Sequence, residues 1–242
     1  GLCHNITAKF FYHPESSTIV KERDIDSAYF YKLGETYFYD NKPLPPEVED
    51  DIEEYLRHHL HNFDLVLVMD FGHRFFTPKL IRVIREKAKF LALNTQMNAA
   101  NFGFNVITKW PGADFIVLDE KELRLAVHNE HEDVENLITD LKNSRENFFQ
   151  TIATPRGSRG SIIFNLNQGF KNAPAFSTKV IDLVGAGTAY MAITAPLAAK
   201  NVPIELICFI GNAAGAMNVS VLANKKLIEY GPLMKFLAAL LK

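Results

Sequence analysis

The sequence predicts an α/β fold of three layers, a mostly parallel sheet between helices, with a small β lid ahead of it. Three observations carry this. Continuous apolar runs such as Leu65–Met69 and Phe115–Leu118 are typical of strands covered on both faces. Amphipathic helical patterns alternate with those runs, as a sheet with crossover helices requires. Residues 6 to 40 differ from both: they are rich in Tyr, Phe, Thr and Val and are broken by Pro14, Ser16, Ser17 and Gly34, which reads as strands joined by turns. Pro43, Pro45 and Pro46 mark the boundary, giving a lid over residues 1–45 and a core over 46–242.

Within the lid, Ala8–Tyr12 and Glu35–Tyr39 read as strands. The core opens with a helix that places Ile52, Leu56, His59 and Leu60 on one face. The strand Leu65–Met69 ends in Asp70-Phe71-Gly72-His73, and polar residues at the carboxyl end of such a strand are well placed for a ligand. A helix burying Leu80, Ile81, Ile84 and Ala88 leads to the strand Phe90–Leu93. The stretch from Asn94 to Asn105 that follows is dense in side-chain amides, about half of which turn and capping bonds explain. After Phe115–Leu118, the acidic residues Asp119, Glu120 and Glu122 suit a helix N-terminus. His73, His128 and His131 lack ligand spacing and read as surface or capping residues.

Val134, Leu137, Ile138 and Leu141 form another amphipathic helix before the strand Phe148–Ala153. A glycine turn, Thr154 to Gly160, comes next. Ile162–Phe164 and the segment around Phe176 are expected to supply further strands leading into Val180-Ile181-Asp182. Beyond them Ala189, Ala192, Ile193 and Leu197 give a helix face checked by Pro196, and Pro203 suits the start of the next helix. Gly211, Ala213, Ala214 and Gly215 permit close packing, and Leu233, Phe236, Leu237, Leu240 and Leu241 give a closing amphipathic helix.

Composition excludes several functions. With 26 basic and 28 acidic residues mixed along 242 positions, the net charge of −2 offers no patch for nucleic acid and no polybasic arm for a membrane. A small or anionic metabolite fits better. Cys3 and Cys208 are far apart and lack metal or redox spacing, which points to a reduced, cytoplasmic setting. Ile204–Val221, the most apolar window, is interrupted by Glu205, Asn212 and Asn218 and reads as a buried helix. The start has neither Met nor a basic region ahead of an apolar stretch, so no signal peptide is expected and a cut end of a longer protein is.

The stretch from Asp182 to Tyr190 centres the chain. Gly185 and Gly187 let the backbone bend and expose its N–H groups where an apolar helix begins, which makes an anion hole or, more simply, a tight strand-to-helix connection. Its pattern, D-x-x-G-A-G-x-A-Y, resembles the signature of the ribokinase-like (PfkB) carbohydrate kinases, D-T-x-G-A-G-D-A-F, and leans to the heptose-phosphate kinase branch. The resemblance implies a ribokinase-like core using ATP and Mg²⁺, with Gly185, Ala186 and Gly187 stabilising the transferred phosphoryl group. The family's general base is the Asp after G-A-G. Thr188 stands there, and a hydroxyl cannot act as a carboxylate base at neutral pH.

Other segments resemble the family in the expected order. Thr18–Arg23 is similar to a T-x-x-K-x-R lid segment, so Lys21 and Arg23 face a substrate phosphate or are simply exposed strand charges that discourage edge pairing. Asp70, in the D-F-G-H strand end, joins them as a substrate residue. Asp119 and Glu122 resemble N-x-x-E, implying a place near Mg²⁺. Thr154 to Gly160 is similar to T-x-G-x-x-G extended by one residue, implying Thr154, Gly157 and Gly160 at the nucleotide, with Asn212 lining its adenine pocket. Paired aromatic lids imply a homodimer. No G-G-x-x-x-N-x-A sugar-binding segment precedes the lid. Two readings compete: a catalytically impaired sugar or sugar-phosphate kinase, and a pseudokinase domain for nucleotide sensing or subunit contact.

Overall fold

A computed structural model describes residues 5–26, 28–29, 32–98, 100–144, 146–176, 180–222 and 226–242. Two sheets organise them. In the lid, β1 (Val20–Ile25) pairs antiparallel with β2 (Lys32–Phe38), Val20 opposite Phe38 and Arg23 opposite Glu35. The core sheet has six strands whose spatial order is their chain order: β3 (Val66–Asp70), β4 (Leu91–Thr95), β5 (Gly112–Val117), β6 (Phe148–Pro155), β7 (Ser161–Asn165) and β8 (Gly169–Ala173). The ladder is parallel from β3 through β6 and antiparallel from β6 through β8.

The two-residue period of the strands divides the core. Leu91, Leu93, Ile116 and Ile152 face one side, where they pack with Ile81 and Ile84 of α2 (Pro78–Lys87), Leu123 of α3 (Glu120–Val127) and Leu137 and Leu141 of α4 (Val134–Lys142). Their neighbours Ala92, Phe115, Val117 and Ala153 face the other, against Tyr190 and Met191 of α5 (Ala186–Ala199) and Ile207 and Cys208 of α6 (Ile204–Val219). That gives three layers. On the first side α1 (Pro46–His59) leads into Leu60; on the other, α7 (Tyr230–Leu240) packs Leu233 and Leu237 near Ala213 of α6. No helix among the described residues is long and apolar enough to cross a membrane.

Several expectations need correction. Ala8–Tyr12 is not a strand, because no neighbour offers it a ladder; Phe11 instead sets its ring edge-on to Tyr55 at 5.7 Å. The final strand is Gly169–Ala173, which Pro174 ends, so Phe176 lies outside the sheet and packs on Phe209 at 5.1 Å. Val180 to Asp182 is not a strand either: the N–H groups of Ile181 and Asp182 both donate to the Val219 carbonyl.

The buried face of α5 is Tyr190, Met191, Thr194, Ala195 and Ala198, with Ala192 exposed, and the helix runs on through Pro196. Pro196 is tolerated because it lies in the last turn and faces solvent. His59 is exposed and stacks on Tyr55 at 4.0 Å. His128 caps α3 in the left-handed region as expected, but His73 is no surface residue: both ring nitrogens are buried without a hydrogen-bond partner among the described residues.

Candidate active site

The β6–β7 hairpin supplies the first wall. Arg156 donates its N–H to the Gly160 carbonyl at 2.7 Å, closing a turn in which Gly157 and Gly160 have φ of 58° and 80°. Gly160 is demanded twice over, since a Cβ there would lie 2.0 Å from the Ala173 carbonyl oxygen. At Gly157 an added Cβ would meet open space. Thr154 just before the turn is fully buried and its hydroxyl has no hydrogen-bond partner among the described residues.

The second wall comes from α6. Asn212 donates from Nδ2 to the carbonyls of Ala173 and Pro174, both at 2.8 Å, and so pins the end of β8. Between these walls lies a slot of about 130 Å³ whose lining includes Gly157, Gly160, Ala186, Tyr190, Asn212 and Gly215. The structure therefore brings the hairpin turn, the first residue of α5 and Asn212 to one cleft. Two larger, open grooves lie elsewhere, along the N-terminal segment and α1.

The start of α5 is tied to α6. Asp182 accepts from the Val184 N–H at 2.9 Å, Gly185 turns the chain with φ of 84°, and Asn218 donates to the Val184 carbonyl at 2.9 Å. Ala189 N–H reaches the Gly185 carbonyl, whereas the N–H groups of Gly187 and Thr188 find no acceptor among the described residues. Such free donors at a helix N-terminus, with the positive end of the dipole, favour an anion.

Thr188 is reached from across the sheet. Gln96, just past β4, donates from Nε2 to Thr188 Oγ1 at 3.4 Å. Its own backbone is fixed on both sides: the N–H donates to the Asp70 carbonyl at 2.8 Å, and the carbonyl accepts from Asn101 Nδ2 at 3.0 Å. The next residue, Met97, donates to Glu122 Oε1 at 3.2 Å. Asn98 and Asn101 both donate to the Phe71 carbonyl, and the Tyr39 hydroxyl reaches Ala100 at 3.5 Å. The amide-rich stretch is thus a junction joining the lid, the β3 turn, α3 and the start of α5.

Asp119 and Glu122 form a reciprocal capping box on α3, each side chain accepting from the other's N–H, at 2.8 and 3.0 Å. Burial and then the Asp119 charge push the Glu122 carboxyl up to about 7, against the pull of its backbone donors. Asp70 is buried with both oxygens engaged, one by Gly72 N–H at 3.0 Å and the other by Lys109 Nζ at 2.6 Å and Trp110 Nε1 at 3.1 Å. In the lid, Lys21 lies over the rings of Tyr37 and Phe71 at 4.7 and 5.2 Å, and its burial lowers its pKa. Arg23 is paired with Glu35 at 2.6 Å. Sequence reasoning missed Gln96, Tyr190 and Lys109; only the density of amides after β4 hinted at the first.

Residues 104–224 match the pfkB family of carbohydrate kinases, and the chain belongs to that family. The match contains Asp119, Glu122, the hairpin turn, Gly185 to Thr188 and Asn212. Among curated proteins, the chain is similar to the bifunctional protein HldE of Campylobacter jejuni, 29% identical over 185 residues. That alignment takes in 73% of this chain and 39% of the relative, so the chain spans well under half of its length. HldE of Wolinella succinogenes is 25% identical over 77% of the chain and 39% of that protein. Among solved structures, Arabidopsis thaliana ribokinase complexed with ribose and ATP superposes with a TM-score of 0.67 at 15% identity, over 92% of this chain and 70% of that one. Escherichia coli phosphofructokinase-2 in complex with potassium gives 0.67 at 14%, over 86% and 67%. These likenesses fix the fold as ribokinase-like.

Proposed function

We propose that the cleft holds a nucleotide, ATP or ADP, and that phosphorylation of a sugar or sugar phosphate by this chain is strongly impaired. The observation that carries the second half is Thr188, a hydroxyl held by the Gln96 amide where the family's carboxylate base stands. Loss of a general base costs about 10²–10⁴-fold in rate. The nucleotide assignment is supported by the convergence of Gly157, Gly160, Ala186 and Asn212 on one slot, and by the open space beside Gly157 and Gly187. Thr154 stands one strand residue behind that turn, and the N–H groups of Gly187 and Thr188, which have no acceptor among the described residues, are the donors we assign to the phosphate tail, since the Ala186 N–H is already taken by the Leu183 carbonyl.

Mg²⁺ fits in a water-mediated way. Asp119 and Glu122 use their oxygens to cap α3, and no group of three or more ligating side chains suits a metal among the described residues. Mg²⁺ commonly takes one or two carboxylates and completes its shell with water and phosphate oxygens. On the lid, Lys21 rather than Arg23 is the better candidate for a substrate phosphate, because Arg23 is already neutralised by Glu35. The exposed aromatic residues Tyr29 and Phe38 support pairing of two lids.

The test is ADP release with a panel of heptose and hexose phosphates for wild type, Thr188→Asp and Thr188→Val. Expected is very low wild-type turnover that Thr188→Asp raises wherever the sugar site is complete. Family-like turnover by wild type, unchanged in Thr188→Val, would refute impairment. Nucleotide binding without turnover in any variant would select the sensing pseudokinase over the weak kinase.

A further inference from the structure

We propose that the groove between the N-terminal segment and α1 docks an arginine-bearing peptide segment of a partner protein. The proposal stands apart from the nucleotide reading, since this groove and the slot beside Asn212 share no lining residue.

The groove encloses about 910 Å³ and follows α1 from Val48 to Asn62. At the rise of a helix those residues span roughly 20 Å, which matches about six residues of extended peptide. One wall is aromatic. Phe11 and Tyr55 meet edge to face at 5.7 Å, and the chain's own Lys9 sets its Nζ 5.3 and 5.9 Å from their centroids. These rings therefore already hold one cation. Phe10 and Tyr12 on the same segment are 64% and 80% exposed, so further ring surface is open.

The other wall is anionic. Where α1 meets α2 the carboxylates are answered: Lys79 pairs with Asp50 and, at 2.6 Å, with Glu53, which also takes Arg57 at 2.7 Å. Asp51 and Glu54 line the groove instead, and neither carboxylate has a partner among the described residues. Three residues apart on a helix, they are neighbours at about 5–6 Å between Cβ atoms. His58 and His59 add acceptors: each spends Nδ1 on the carbonyl four residues back, at 2.8 Å, and so presents the Nε2 lone pair of the neutral ring. The occupant must bring donors, positive charge and a flat face. Arginine combines them, because its guanidinium forks onto a carboxylate and stacks on an aromatic ring. On alternate residues of an extended segment it recurs about every 7 Å, close enough to serve both acids.

The test is calorimetric titration of the 242-residue chain with the capped hexapeptide Arg-Gly-Arg-Gly-Arg-Gly, its citrulline counterpart and its lysine counterpart. The arginine peptide is expected to bind about tenfold more tightly than the citrulline peptide, which keeps the shape and loses the charge, and about threefold more tightly than the lysine peptide. Asp51→Asn combined with Glu54→Gln should cost about tenfold, the scale of a hydrogen bond to a charged group. Tyr12→Ala should cost about two- to fivefold through its ring alone. Glu47→Gln removes a charge of the same helix outside the groove and should leave the affinity within about twofold of wild type. All four positions are exposed, so unfolding midpoints should stay with wild type and affinity alone reads the groove. No binding of the arginine peptide, equal affinity for either counterpart, or unchanged binding in the double variant would overturn the inference. So would a loss in Glu47→Gln as large as in the groove variants, which would reduce the effect to diffuse attraction.

Discussion

Tyr190 and Gly211 meet face to face between α5 and α6: a Cβ built on Gly211 would lie 2.4 Å from the Tyr190 ring. The ring is almost wholly buried, and its hydroxyl lies 3.4 Å from Ser161 Oγ on β7. This contact sets the distance between the helix that carries Thr188 and the helix that carries Asn212.

Gly211→Ala should therefore destabilise the protein by overpacking, about 1–3 kcal/mol in urea unfolding. Thr194 Cγ2, 2.8 Å from the same added carbon, blocks an escape on that side. Gly215→Ala, whose Cβ would meet nothing within 4 Å, should be nearly neutral in stability and act only on ligand binding. Equal losses for the two variants would contradict this account of the helix spacing.

Asp70→Asn should act on stability, through the buried bonds to Lys109 and Trp110. Removing one member of a buried pair costs about 3–5 kcal/mol, and the partial exposure of Lys109 brings the expected loss to the lower part of that range or below it. The companion Lys109→Met should recover part of the loss when combined with Asp70→Asn. A variant Asp70→Asn with unchanged unfolding midpoint would show that the carboxylate is not structural.

Glu122 predicts a pH dependence of stability. Its carboxyl sits at about 7 in the folded protein against an ordinary value of 4.5, so between those values the folded chain holds a proton that the unfolded chain has released. Protonation thus favours the fold, and stability should fall as pH rises from about 4.5 through 7, by something like 2–3 kcal/mol from this group. Glu122→Gln should flatten that slope. It should also lower stability overall, because its amide group would face one of the N–H donors of Asp119 or Met97. Unfolding midpoints measured at several pH values for both proteins decide the matter.

The strands Val66–Asp70 and Gly112–Val117 were legible from the unbroken apolar runs Leu65–Met69 and Phe115–Leu118, although only the second is buried on both faces and Leu67 of the first, at the sheet edge, remains exposed. Ala8–Tyr12 has similar chemistry and forms no strand, since strand formation needs a partner edge and composition does not say whether one exists. The tight glycine turn at Gly185 that opens α5 was legible from its two glycines alone. The Gln96 contact with Thr188 was not, because it spans the sheet between residues far apart in the chain. The position of Asn212 in the cleft was suggested by family resemblance, while its bonds to Ala173 and Pro174 depend on how closely α6 approaches β8, which no local pattern encodes.

Because each strand of the core sheet lies beside the one that precedes it in the chain, the sheet can grow by adding strands in the order of synthesis. The hairpin turn at Gly157 to Gly160 is complete once β7 has paired with β6. Its counterpart at Gly185 to Thr188 takes one bond from the earlier Gln96 but is anchored to the body of the fold by residues further on, Asn218 and Val219, at the far end of α6. A nascent chain that stops short of α6 would own a nearly finished sheet and half a cleft. Competence to grip a ligand is then the last property this part of the chain acquires, and a nucleotide that spans both halves would act as a late fastening on folding as well as a ligand.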